Sequence, residues 1–265
     1  MSEVQTNKKS PVLVRIKEYG IVIVVLALFV YFIVLPAFES MRMRAIRMQC
    51  SNQLKNIAIS LENYRSANGS YPPAYTVDAD GKPLHSWRVL LLPYGYLGDR
   101  GIAEKIRLNE PWDSEYNKQF HDQMPYGYIC PFADVFVKRD RETKEKWKTT
   151  MTAYQVVVGP GTLFPGSECR TLDDVTRDKA DTIMVVESTA GVCWMAPIDL
   201  PVETLEHGVV AAKSGILGVG SYHNGGANVV MTDGSAEFIP NSQSPKDIQE
   251  LKEKFRIKEQ VTDGL

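Results

Sequence analysis

The sequence lacks an excess of either charge: 30 basic against 32 acidic residues leave a formal net charge of -2. No field of one sign would draw it to a phosphate backbone, so nucleic acid is not an expected partner. Internal repeats are absent, and the 19 glycines and 15 prolines follow no collagen-like period, which excludes solenoid and fibrous architectures. Cysteine is scarce: Cys50, Cys130, Cys169 and Cys193 stand far apart with no C-x-x-C, the wrong spacing for a zinc finger. No G-x-S-x-G, H-E-x-x-H, P-loop or EF-hand pattern occurs, and Gly215–Gly220 (GILGVG) lacks the lysine a phosphate cradle needs, so it reads as a glycine-rich bend. We therefore expect no catalytic residue, no cofactor and no metal. Disorder is excluded as well, because a chain that is 44% hydrophobic and 23% charged can bury a core.

The apolar residues are unevenly spread. Gly20 to Phe38 (GIVIVVLALFVYFIVLPAF) runs 19 residues without a charge, about 28 Å of helix, which predicts a transmembrane segment. A cleaved signal peptide is the competing reading, but it wants a shorter apolar stretch and a small-x-small site, and Pro36-Ala37-Phe38-Glu39 offers none. Lys8, Lys9, Arg15 and Lys17 precede the segment and Arg42, Arg44 and Arg47 follow it; the slight excess before it places the N-terminus in the cytoplasm and the rest outside.

Beyond Phe38, apolar residues recur at Ile46, Cys50, Leu54, Ile57, Leu61 and Tyr64, one face of an amphipathic helix. No breaker stands between Phe38 and Tyr64, so this helix continues the spanning one, with at most a bend at Pro36, and Asn68-Gly69 ends it. Ser86–Pro93 predicts a short strand or a buried helical turn, and Ile102–Leu108 a helix. Tyr126–Cys130, Thr152–Val158, Thr182–Val186 and Ala227–Thr232 predict strands. Asp140–Lys148, dense in both charges, predicts a solvated loop, and Pro245–Gln260 a closing helix. The fold class is α+β: a membrane helix continuing into a spine helix packed on an antiparallel sheet. The predicted division is a cytoplasmic tail (1–19), an anchor (20–38), a spine helix (39–68), an extracytoplasmic α+β domain (69–245), and a C-terminal helix and tail (246–265).

Each candidate site residue also has a packing reading. Glu187 and Asp199 could form an acid pair, though a structural role is the stronger expectation. Trp112 and Trp194 are candidates to face a ligand, a glycan above all, by stacking. His223 and Asp233 invite a base-and-carboxylate reading. Asp233-Gly234 is, however, the strongest hairpin signal in the chain, and six extended residues would hold His223 about 20 Å away. Asp233 and Gly234, with Gly225 and Gly226 at the other end of that strand, therefore read as turn residues, and His223 as fixing its turn. Four cysteines outside the cytoplasm fit two disulfides in any of three connectivities, with four buried thiols as the alternative.

A set of motifs in order carries a resemblance. Arg47–Asn56 (RMQCSNQLKN), Asn68–Tyr75 (NGSYPPAY), Ser86–Tyr94 (SWRVLLLPY), Asn109–Asp113 (NEPWD), Tyr128–Pro131 (YICP), Val157–Thr162 (VVGPGT), Asp181–Glu187 (DTIMVVE), Trp194–Leu200, and His223-x9-Asp233-Gly234 together resemble a bacterial prepilin-like family of unknown function. That family is similar to pilins and pseudopilins in its N-terminal helix and is sometimes grouped with solute-binding proteins. The resemblance covers about residues 40–240 and implies a pilin-like fold with no assigned activity. Gly20 is followed by Ile21–Val25 with no glutamate, so it implies neither prepilin cleavage there nor filament packing through that carboxylate. Because Cys50 and Cys130 lie inside family-like motifs, it also implies that they pair, leaving Cys169 with Cys193. The expected function is a non-catalytic, membrane-anchored structural or assembly protein; the alternative is an anchored solute- or glycan-binding module. Expected partners are the bilayer through residues 20–38 and other proteins or further copies at the cell envelope, with a glycan under the alternative.

Overall fold

The computed structural model describes residues 11–95, 97, 100–131, 149–222, 225–242 and 244–257, in two compact units, residues 1–45 and 46–265. The charged stretch Asp140–Lys148 and His223 lie outside the described residues.

The first unit holds α1 (Pro11–Phe29), one π-helical turn (Val30–Val34) and the start of α2 (Leu35–Asn68). Pro36 accounts for the wide turn: it has no N–H for the Phe32 carbonyl, and its ring crowds that oxygen. A π turn relieves the clash without ending the helix. From Val22 to Phe38 every side chain is exposed. This stretch, near the N-terminus, is long and apolar enough to cross a membrane, and none of it is buried by protein.

The second unit begins within α2. Its stripe of Cys50, Gln53, Leu54, Ile57, Ala58, Ser60 and Leu61 is buried, following the 3.6-residue period. Leu54, Ile57 and Leu61 have no exposed surface, and each contributes about 1.5–3 kcal/mol by leaving water. Gly69 stops the helix at φ 79°, its N–H donating to the Arg65 carbonyl at 2.8 Å, a bond that leaves the last turn satisfied.

Two strands, β1 (Tyr75–Val77) and β2 (Pro83–Ser86), form a hairpin. Ser86 then caps the short α3 (Trp87–Leu90) by accepting the Arg88 N–H at 3.2 Å. The expected helix Ile102–Leu108 is only α4 (Arg100–Ala103). Beyond it the chain turns to bring the Arg107 and Glu110 carbonyls to the buried ring of His85, at 3.2 and 2.7 Å from Nε2. Tyr126–Cys130 is not a strand: Tyr126–Tyr128 is a 3-10 turn after Pro125. Gly127 sits so close to Leu97 that a Cβ there would lie 2.8 Å from its side chain, and its N–H donates to the Leu97 carbonyl.

The main sheet is antiparallel throughout. It contains β3 (Met151–Gln155), β5 (Ile183–Cys193), β9 (Gly226–Met231) and β10 (Ala236–Pro240), in the order β10-β9-β5-β3. Between them run the short parallel pairs β4 (Val157–Val158) with β6 (Leu200–Pro201) and β7 (Val210–Ala211) with β8 (Gly220–Ser221). Ala227, Val229 and Met231 pack in one core with Leu251 and Phe255 of α5 (Pro245–Phe255). Strand alternation turns Asn228 and Val230 to the other face, where the spine helix lies: Gln53 accepts a bond from Tyr154 of β3 at 2.7 Å, and Arg47 stacks over Phe238 of β10 at 4.5 Å. The fold is α+β, a long N-terminal apolar helix with a domain whose main sheet and first hairpin are antiparallel.

Candidate functional site

Two polar clusters are buried in the second unit. The first centres on Arg88, the one charge in Trp87–Leu92, whose guanidinium reaches Asp199 at 2.6 Å with both side chains almost wholly out of water. Arg88 Nε donates to the Tyr154 carbonyl and Nη1 to Ser86 Oγ, while Asp199 also accepts from Trp87 Nε1 and the Val156 N–H. Burial pushes the Asp199 carboxyl up, and the Arg88 charge, the Val156 N–H and the Trp87 N–H pull it back. Each donor and acceptor around the pair has a partner, which is what a buried ion pair requires. The pair joins α3 to the segment before β6 and has no open face, so it reads as structural. It also corrects the acid-pair expectation: Asp199 is bound to Arg88, not to Glu187.

The second cluster lies between the spine helix and the sheet. Cys50 Sγ and Cys130 Sγ are 3.8 Å apart, and a Glu187 carboxylate oxygen lies within 4.8 Å of both. All three residues are buried. Glu187 accepts from the Asn228 N–H at 2.7 Å and from its Nδ2 at 3.0 Å. Gln53, one helical turn after Cys50, accepts from Tyr154 and donates through Nε2 to the Tyr126 carbonyl at 3.2 Å. It thereby ties the helix bearing Cys50 to the turn that leads to Cys130. The Cys130 thiol beside it and burial together push the Cys50 thiol far above its usual range, so it holds its proton.

The expected disulfides are absent: Cys50, Cys130, Cys169 and Cys193 are all free thiols. Cys50 and Cys130 do meet, but at a separation far beyond the ~2.05 Å of an S–S bond. Cys169 is exposed and Cys193 half-buried on β5. Nor does Trp194 face a ligand. It is fully buried, its Nε1 donating to the His121 carbonyl at 3.1 Å. Trp112 is half-buried and stacked on the His121 ring at 5.0 Å. Such stacking needs no further occupant.

Asp233 and Gly234 form the turn between β9 and β10. Gly234 has φ 85°, its N–H donates to the Met231 carbonyl at 3.0 Å, and Asp233 Oδ1 accepts the Ser235 N–H at 2.8 Å. At the other end of β9, Gly225 has φ 89°, and a Cβ on Gly226 would lie 2.1 Å from the Ile239 carbonyl oxygen. The distance from His223 to Asp233 falls outside the described residues. The turn borders an open groove of about 430 Å³, shared with Glu62, Arg65 and Lys179 and with no aromatic side chain among the described residues that line it.

Sequence reasoning missed the meeting of Arg88 with Asp199, and that of Cys50 and Cys130 with Glu187 and Asn228. One signal was present for each: a lone arginine within an apolar run, and a glutamate inside a strand otherwise apolar up to it. No curated protein and no solved structure matches the chain. A family model does match, over residues 39–194 and 195–246, described as a protein of unknown function, DUF1559. The chain belongs to that family of unknown function, which is loosely tied to solute-binding proteins.

Proposed function

We propose that this is a non-catalytic, pilin-like structural or assembly protein, held in a membrane by residues 20–38 with its N-terminus in the cytoplasm and its second unit outside. The observation that supports the reading most is the exposure of every apolar side chain from Val22 to Phe38. Such a surface is stable only where lipid or another apolar phase replaces water. The buried Arg88–Asp199 cluster supports a scaffold role, because its groups are satisfied by one another. Partners of an assembly protein would be other envelope proteins or further copies of the chain.

A second reading, an anchored solute-binding module, draws on the groove beside Asp233-Gly234. Its mixed charge, Glu62, Arg65 and Lys179, suits a small polar solute. The described residues that line it offer a glycan no aromatic stacking surface.

The exposed Cys169 supplies the test. A membrane-impermeant maleimide applied to intact cells should label it fully, with no gain on lysis, and unlabelled chains cross-linked in the membrane should yield species larger than one copy. Labelling only after lysis would refute the topology. A strictly monomeric chain stabilised by a small polar solute would favour the second reading.

A further inference from the structure

We infer that Cys50, Cys130 and Glu187 form a binding site for a zinc-like divalent cation, buried between the spine helix and the sheet. Two thiolates on a tetrahedral zinc, each about 2.3 Å from the metal, stand about 3.8 Å from one another. That is the Cys50–Cys130 separation of 3.8 Å. Two thiols in simple contact would also stand this far apart, so the spacing alone decides nothing. The carboxylate beside the two thiols is what favours a cation. A Glu187 oxygen within 4.8 Å of both sulfurs needs about 1 Å of side-chain motion to complete three ligands, leaving the fourth tetrahedral position to a non-protein oxygen. Thiolate with carboxylate suits a borderline cation better than calcium or magnesium, which take oxygen ligands alone.

The surroundings are those of a held ligand set. Asn228 donates to both carboxylate oxygens of Glu187 and keeps them turned toward the thiols, and Gln53 joins the two segments that carry the cysteines. Bonds of this kind orient metal ligands and tune their affinity. The residues lie 80 and 57 positions apart in the chain, so the site exists only in the folded unit, and the missing C-x-x-C excludes a zinc finger but not a site assembled by the fold. Binding replaces two S–H protons with one cation, releases both protons to solvent and changes no oxidation state, so affinity rises with pH. None of this depends on the anchor reading.

The test uses the full chain, extracted in detergent, kept reduced and stripped with a chelator. Titration with zinc against a competing chromophoric chelator should give one equivalent per chain and a higher Tm. Cobalt in its place should show thiolate-to-metal charge-transfer absorption. Cys130→Ser and Glu187→Gln should lose tight binding, and Asn228→Ala should weaken it about 10- to 100-fold as a positioning residue. If a variant fails to fold, the wild-type titration alone decides. A folded, reduced wild-type chain that binds no zinc would overturn the proposal. So would a Cys50–Cys130 disulfide in the freshly isolated protein, or zinc retained undiminished by folded Cys130→Ser.

Discussion

The two units treat polarity in opposite ways. From Val22 to Phe38 the chain exposes one apolar side chain after another, whereas the second unit buries Arg88, Glu187, His85 and the carboxylate of Asp199. Neither arrangement is stable in the other's surroundings. A bare apolar helix needs an apolar phase around it, and a buried charge needs partners whose geometry replaces water. Inside and outside must therefore be judged separately for each unit, by which solvent each surface was built to meet.

The largest effect should come from disturbing the buried charge. Arg88→Met leaves Asp199 without its cation, and denaturant unfolding in detergent should show a loss of about 3–5 kcal/mol. Adding Asp199→Leu should restore part of it, because it removes the unpaired carboxylate but leaves the Trp87 Nε1–H and the Val156 N–H without their acceptor. If the double variant is as unstable as the single one, the hydrogen bonds that Asp199 accepts, rather than its charge, hold this region.

Next comes a paired truncation along the N-terminal helical elements. Ile57 is fully buried and Val25 is 57% exposed. Ile57→Ala should cost about 2–5 kcal/mol in the same assay, and Val25→Ala should stay within about 0.5 kcal/mol. Equal losses would mean that the apolar run packs on protein, and the contrast between the units would fail.

The smallest effect is a pH dependence from His85. Burial lowers its pKa below the ordinary 6.5, with the backbone bonds to Glu110 and Arg107 opposing. Nε2–H donates to those carbonyls, and Nδ1 is buried without a hydrogen-bond partner among the described residues. The unfolded chain therefore takes up a proton before the folded one does. Stability is full above about pH 6.5, falls as pH drops below it, and levels off once the folded histidine titrates too. Stability measured across this range should fall with a slope of less than one proton per chain, and His85→Gln should remove it.

Much of this contrast was legible in the sequence, because it rests on local periodicity. The uncharged run marks the exposed helix, and Cys50, Leu54, Ile57 and Leu61 mark the buried stripe by spacing alone. Ile46 and Tyr64, at the ends of that pattern, are only half-buried, since a stripe says nothing of where the facing surface stops. The turn at Tyr126–Tyr128 reads as a strand because aromatic and β-branched residues favour both a strand and a packed corner; only the approach to Leu97 separates them. β5 runs on to Cys193, past the expected end at Val186, because β3 pairs with Glu187, Val192 and Cys193 and the segment at Gly218–Val219 holds Ser188 and Thr189. The resemblance brought Cys50 to Cys130, though as a disulfide, and two meetings escaped altogether: Arg88 with Asp199, and Glu187 with the two thiols. Both join residues far apart in the chain, and no local pattern encodes a partner that far away.

The membrane reading of the first unit requires that the exposed run from Val22 to Phe38 stay attached to the domain and lie in lipid. The mass of the mature chain recovered from alkali-washed membranes tests it most directly. The expected result is a membrane-bound chain that retains residues 1–38. A chain that begins near Ile21 or Glu39, or one released intact by the wash, would contradict it.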